Sequence, residues 1–105
     1  MIAGTPIPPY YAVIFTSTRT EISDGYAELS DQMNELAAIQ PGFLGMESAR
    51  SDVGITVSYW DSLESIKKWK ENTEHLFAQQ MGRERFYQHY KIRISIVERD
   101  YEFKK

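Results

Sequence analysis

Trp69 and His75, six residues apart, are the side chains in this 105-residue chain best suited to chemistry. A histidine titrates near neutral pH and serves as hydrogen-bond donor or as base. An indole offers a broad apolar wall and a single N–H donor. Both stand in the run Val57–Tyr90, which holds both tryptophans (Trp60, Trp69) and both histidines (His75, His89). A pocket in this protein is expected to be lined by Trp69 and His75. The competing reading makes Trp69 a core residue at helical spacing and His75 a solvated neighbour of Glu74. His89 falls where a helix ends and a last strand begins, so it reads as a cap on terminal carbonyls. Arg83, Arg85, Arg93 and Arg99 are candidates for holding an anionic group, or for ion pairs with Glu84 and Glu98.

Much other chemistry is excluded. The chain has no cysteine, which removes disulfides, thiolate catalysis, iron–sulfur clusters and cysteine zinc sites. The two histidines make no HxH or HxxxH spacing for a metal, and no glycine-rich phosphate loop occurs. Net charge is −3 with an isoelectric point near 5.3, and the basic residues alternate with carboxylates. That pattern lacks the basic patch a nucleic acid requires. No apolar stretch approaches the ~20 residues of a membrane span, and the N-terminus lacks a basic segment followed by an apolar one. A cytoplasmic protein without nucleic-acid or membrane partners is expected.

The elements that must position these residues follow from periodicity. Residues 1–9 carry Pro6, Pro8 and Pro9 and read as a proline-rich tail; residues 10–103 form a single domain. Tyr10–Thr18 is a β-branched and aromatic strand with apolar residues on both faces. A helix is predicted from about Asp24 to Ile39, capped by Ser23 or Asp24, with Tyr26, Leu29, Met33, Leu36 and Ala37 on one stripe. Pro41-Gly42 stops it. Phe43–Arg50 and Gly54–Trp60 are strands of a hairpin joined by Ser51-Asp52-Val53. Asp61 with Glu64 gives a capping box for a second helix bearing Leu63, Ile66 and Trp69. Asn72-Thr73 predicts a break there and a further helical piece over Thr73–Phe86, with Leu76, Phe77, Met81 and Phe86 apolar and Gly82 allowing close packing. Lys91–Tyr101 is the last strand, Ile92, Ile94 and Ile96 sharing one face.

The order β-α-β-β-α-β defines an α+β, ferredoxin-like split-βαβ fold: one antiparallel sheet with both helices on one face. Right-handed crossovers place the first and third strands at the centre. The opposite face keeps apolar residues that a monomer would expose, so a homodimer through that face is expected.

Particular residues carry a family likeness. The Trp60-Asp61-Ser62…Trp69 spacing, the run Glu74-His75…Ala78-Gln79…Gly82-Arg83, the PGFLGMES stretch at Pro41–Ser48 and the close Val97-Glu98-Arg99-Asp100-Tyr101 resemble the antibiotic biosynthesis monooxygenase domain family. The likeness spans Tyr10 to Tyr101 and implies a dimeric α/β barrel. It also implies a choice of activities: oxidation of phenols or quinols by dioxygen without metal or flavin, haem degradation, or ligand binding without turnover. Haem-degrading members use a histidine ten residues after the helical tryptophan and an asparagine on the first strand. Here Gln79 stands at the first position, and no asparagine occurs near Phe15 or Thr16. That disfavours haem degradation.

The expected function is therefore cofactor-independent monooxygenation of a small aromatic or quinol. The alternative is a non-catalytic small-ligand or haem-binding protein of the same fold. By the resemblance, Trp69, His75 and Ser65 are the catalytic candidates, Ser65 standing where the family often has an asparagine. Tyr26, Tyr59 and Phe77 are the substrate-binding candidates. No metal and no other cofactor is expected, and the ligand is a small hydrophobic or aromatic molecule.

Overall fold

Alternation of β-branched and aromatic residues with small ones builds a four-stranded antiparallel sheet. The strands are β1 (Tyr10–Arg19), β2 (Phe43–Arg50), β3 (Gly54–Trp60) and β4 (Tyr87–Val97). Their order is β2-β3-β1-β4, which puts β1 and β3 at the centre as the crossover rule requires. Among the described residues the helices are α1 (Tyr26–Ala38), α2 (Leu63–Gln80) and α3 (Gly82–Phe86). The computed structural model describes residues 1–80 and 82–105, and the side chains of all of these but 79, 80 and 82. The expectations resting on Met81, on the side chain of Gln79 and on the packing of Gly82 lie outside the described residues.

Register decides which residues meet. Val13 packs with Ala37, Trp60 and Ile66, so Tyr11, Val13, Phe15 and Ser17 face the helices. Their ladder partners on β3 are Trp60, Ser58, Thr56 and Gly54, and those on β4 are Ile96, Ile94, Ile92 and Tyr90. On β2 the corresponding positions are Phe43, Met46, Ser48 and Arg50, a bulge at Leu44–Gly45 absorbing the extra residue. Four ranks result across the helix-facing side. The rank through Trp60 is aromatic and closed, Trp60 having no exposed surface; the rank through Arg50, Gly54, Ser17 and Tyr90 is polar. A second cluster of Leu29, Phe77 and Phe86 closes the far end under Tyr26 and Tyr87.

Several expected boundaries move. The first helix starts two residues later than predicted, and neither Ser23 nor Asp24 caps it by its side chain. Gly25 at φ 90° stands at the N-cap, and the carbonyls of Ser23 and Gly25 accept from Tyr26 and Leu29. In α2 the cap is Ser62, whose hydroxyl accepts from the Ser65 amide at 3.1 Å; Asp61 bonds the Ser65 hydroxyl instead, at 2.9 Å. The predicted break at Asn72-Thr73 is absent, and α2 runs through to Gln80. Thr73 satisfies its hydroxyl by donating back to the Lys70 carbonyl at 2.9 Å, and Asn72 donates to Gln40 at 3.2 Å. These side chains therefore need no chain break.

The last strand begins four residues earlier than predicted, at Tyr87. Tyr87 and Tyr90 pack against Phe15 with centroid separations of 5.6 and 5.3 Å, and aromatic cross-strand pairing of this kind extends a ladder. His89 accordingly pairs with Thr18 inside the sheet and caps no helix.

Both termini are fixed to the sheet face away from the helices. The Ala3 amide donates to Glu47, 3.4 Å, and Thr5 donates to the Tyr10 hydroxyl, 2.9 Å. That hydroxyl in turn donates to Asp100, 2.5 Å. Beyond this point Tyr101 and Phe103 are almost fully exposed.

Candidate active site

Between the helices and the sheet lies a cavity of about 370 Å3. Its floor is the three ranks beyond Trp60, from Val13 and Ile94 through Phe15, Thr56 and Ile92 to Arg50 and Gly54. Tyr26, Met33 and Asn34 of α1 and Ile66, Trp69, Thr73 and Phe77 of α2 form the roof. The cavity exists because the aromatic rank at Trp60 holds the helices off the sheet, while the smaller Ser48, Thr56 and Gly54 leave the space beneath them open. Apolar walls with few polar groups are the usual make-up of a small-molecule site.

Trp69 lies on Trp60, ring centroids 5.1 Å apart and tilted by 31°. The Trp60 indole N–H is satisfied, donating to Ser58 Oγ at 2.9 Å. The Trp69 N–H is buried and has no hydrogen-bond partner among the described residues. An unmet buried donor costs about 1–3 kcal/mol, so a ligand acceptor placed against it recovers that amount.

The structure gathers three of the six sequence-chosen residues at the cavity. Trp69, Tyr26 and Phe77 line it; they recur on the inner sides of α1 and α2. His75 is exposed and is not on the wall. With α2 unbroken, it is turned about 200° around the helix from Phe77, at 100° per residue. Ser65 shares the Trp69 side of α2, but its hydroxyl is engaged by Asp61 and Ser62 at the helix start. Tyr59 points to the other face of the sheet, edge-on to Tyr10 at 5.7 Å. Burial and the neighbouring Glu47 carboxylate push its phenol up to about 12.

The wall residues that sequence reasoning did not choose include four that can carry charge or a phenol: Arg50, Lys70, Glu74 and Tyr87. Glu74 forms an ion pair with Arg83, whose Nε donates to the Tyr90 hydroxyl at 2.6 Å. Tyr87 packs edge-on to Tyr26, ring centroids 6.1 Å apart, and burial beside it raises the Tyr87 phenol well above the usual tyrosine range. It stays protonated at any working pH. Arg19 lies over the Tyr26 ring, 3.2 Å from its centroid, and donates to the carbonyls of Phe86 (3.0 Å) and Ile22 (2.8 Å). This fixes the Tyr26–Tyr87 end. Glu74 was legible only as the neighbour of His75. Nothing local marked Arg50, whose surroundings come from three strands. Among the described residues no group of three or more His, Cys, Asp or Glu could hold a metal ion, and no helix is long and apolar enough to cross a membrane.

A four-stranded antiparallel sheet with helices on one face, and a cavity between them, defines an α+β protein of ferredoxin-like topology. The antibiotic biosynthesis monooxygenase family model matches residues 9–81, and the chain belongs to that family. It is 50% identical over 100 residues to the uncharacterized protein YqjZ of Bacillus subtilis (strain 168), covering 93% of this chain and 88% of the relative. Its fold is similar to that of an Asn-to-Ala mutant of SnoaB, a cofactor-independent oxygenase from Streptomyces nogalater. The TM-score is 0.71 at 10% identity, over 87% of this chain and 95% of that one. It is similar too to a putative antibiotic biosynthesis monooxygenase from Chloroflexus aurantiacus, TM-score 0.57 at 20% identity over 87% and 97%.

Proposed function

We propose that the cavity binds a small aromatic or quinol substrate and oxidises it with dioxygen, no metal or organic cofactor taking part. The observation that carries this reading is the buried, unpartnered Trp69 N–H in an aromatic-walled cavity. It suits an oxygen atom on a flat ring, with Phe77 packing on the ring and Tyr26 meeting a second polar edge. Family membership and the likeness to a cofactor-independent oxygenase support the same reaction class.

A quinol can supply all the electrons dioxygen needs. Loss of the phenolic proton makes the ring electron-rich enough to reduce O2, and the radical pair then couples at a ring carbon. Loss of water leaves the hydroxyquinone: quinol plus O2 gives hydroxyquinone plus H2O. One oxygen atom stays on the ring and the other leaves as water. We give Glu74 the proton-accepting role because it is the carboxylate on the wall and also reaches solvent. His75 is the competing base.

An oxygen electrode with metal-stripped protein and a panel of hydroquinones and dihydroxynaphthalenes tests this. Uptake above autoxidation, one O2 per quinol, is the expected result, reduced about tenfold or more by Glu74→Gln, in the range of one general base. Loss in His75→Ala with Glu74→Gln intact would return the role to His75. No uptake by wild type on any quinol would leave a binding protein without turnover.

We further propose a cytoplasmic homodimer. Ile92, Ile94 and Ile96, on the helix-facing side along the β4 edge, are each 42–50% exposed. A second copy would cover such a surface. Sedimentation at micromolar concentration reads this directly, a 12.2 kDa species counting against it.

A further inference from the structure

The polar rank of the floor contains an arginine in an unusual position. Arg50 is at the end of an edge strand, where a long cationic side chain ordinarily extends into water. Arg50 stays exposed to solvent, yet its guanidinium turns back across β3 and donates to Ser17 Oγ, on a residue only 2% exposed. Gly54 lies between them in the ladder. A methyl group there would overlap the guanidinium, so the arginine rests in the notch left by the missing side chain.

Among the described residues no carboxylate pairs with it. The ion pairs among the described residues are Lys68–Glu64 and Arg83–Glu74. Lys70, also on the cavity wall, has no such partner either. Among the described residues the carboxylate on that wall is Glu74, and it is matched by Arg83. In a chain of net charge −3, the cavity therefore carries excess positive charge. A guanidinium has five N–H donors in a planar fork, and Ser17 takes up only part of them. Tyr87 and Tyr26 line the same cavity as Arg50.

We propose that the ligand is an aromatic carboxylate, its carboxylate paired with the Arg50 guanidinium and its ring lying between Phe15, Phe77 and Trp69. The inference rests on reading the cavity as the substrate site, and narrows the substrate to a ring bearing both a hydroxyl and an acid group. A planar carboxylate is favoured over a phosphate because a single guanidinium fork matches two coplanar oxygens. No glycine-rich loop adds further donors. Gly54 and Ser17 act as positioning residues for the arginine.

Isothermal titration calorimetry with 2-naphthoate and its neutral isostere 2-naphthamide separates the two layers of this reading. Binding of the amide tests the cavity; the difference between acid and amide tests Arg50. Wild type is expected to bind the acid at least tenfold more tightly. Arg50→Gln removes that preference, weakening the acid about ten- to a hundredfold and leaving the amide within about twofold. Gly54→Ala, which keeps the charge but displaces it, lowers the preference to an intermediate value, and stands in if Arg50→Gln does not fold. Equal affinity for acid and amide in wild type overturns the proposal, as does a variant that weakens both probes alike. Binding of neither probe overturns it together with the substrate-site reading.

Discussion

The joint between β2 and α2 tests the structural reasoning most sharply, through Gly42→Ala. Gly42 has φ 89°, a left-handed conformation that costs a residue with a Cβ about 1–2 kcal/mol. Its carbonyl accepts from the Asp61 amide at 2.9 Å, which brings the turn against the start of α2. An added Cβ would lie 2.7 Å from Ser65 Cβ and overlap Ser65 Oγ and Asp61 Oδ1. The Asp61–Ser62–Ser65 hydroxyl network that caps α2 must then separate, and a lost cap costs about 1 kcal/mol, range 0.5–2. The sum is about 1.5–4 kcal/mol, or roughly 6–30 °C in Tm for a domain of this size.

Gly25→Ala is the internal control. Gly25 has a similar φ of 90°, but a Cβ there meets only Phe86 Cζ at 3.5 Å, an ordinary contact. It should cost the backbone term alone, about 1–2 kcal/mol. Urea melts followed by circular dichroism give both values. Gly42→Ala costing no more than Gly25→Ala would refute the argument that packing of this turn on the α2 cap sets the helix position. Because the same turn fixes α2, Gly42→Ala should also loosen 2-naphthamide binding, whereas Gly25→Ala should not.

Three further outcomes are expected. Trp69→Phe keeps the stack on Trp60 but removes the unpartnered donor, so unliganded stability should change by less than about 1 kcal/mol while quinol turnover falls; a large stability loss with unchanged turnover would make Trp69 purely a core residue. The raised Tyr59 phenol predicts alkaline sensitivity. Between pH 10 and about 12 the unfolded chain has lost this proton and the native one has kept it, so its contribution is whole below pH 10 and fades as pH rises through that window. The urea midpoint of Tyr59→Phe should decline less steeply there than that of wild type. Tyr10→Phe deletes the bond to Asp100 and should speed amide exchange in residues 98–105 without moving the exchange of β1; no change would mean that Asp100 does not hold the C-terminal segment.

Where local pattern suffices, sequence and structure agree. Both hairpin strands, 43–50 and 54–60, have their predicted limits, because a period of two bounded by Pro41-Gly42 and by Ser51-Asp52 is decided within a few residues. The α1 stripe is equally local. Element order and handedness follow from such patterns, and the quoted motifs carry the family. Sequence alone also put Trp69, Tyr26 and Phe77 on the inner sides of their helices.

Other features depend on partners distant in sequence. A cap signal at Asn72-Thr73 loses to continued helix once Thr73 and Asn72 find Lys70 and Gln40. That continuity, in turn, rotates His75 away from the cavity. Tyr87 joins the sheet because Phe15, 72 residues earlier, offers it a ring. Arg50 faces the cavity because Ser17 and Gly54 arrive beside it from two other strands. The sequence by itself thus determined the elements, their order and the family. Only tertiary packing decided which charges face the cavity, because register brings those groups together across strands and no local period encodes it.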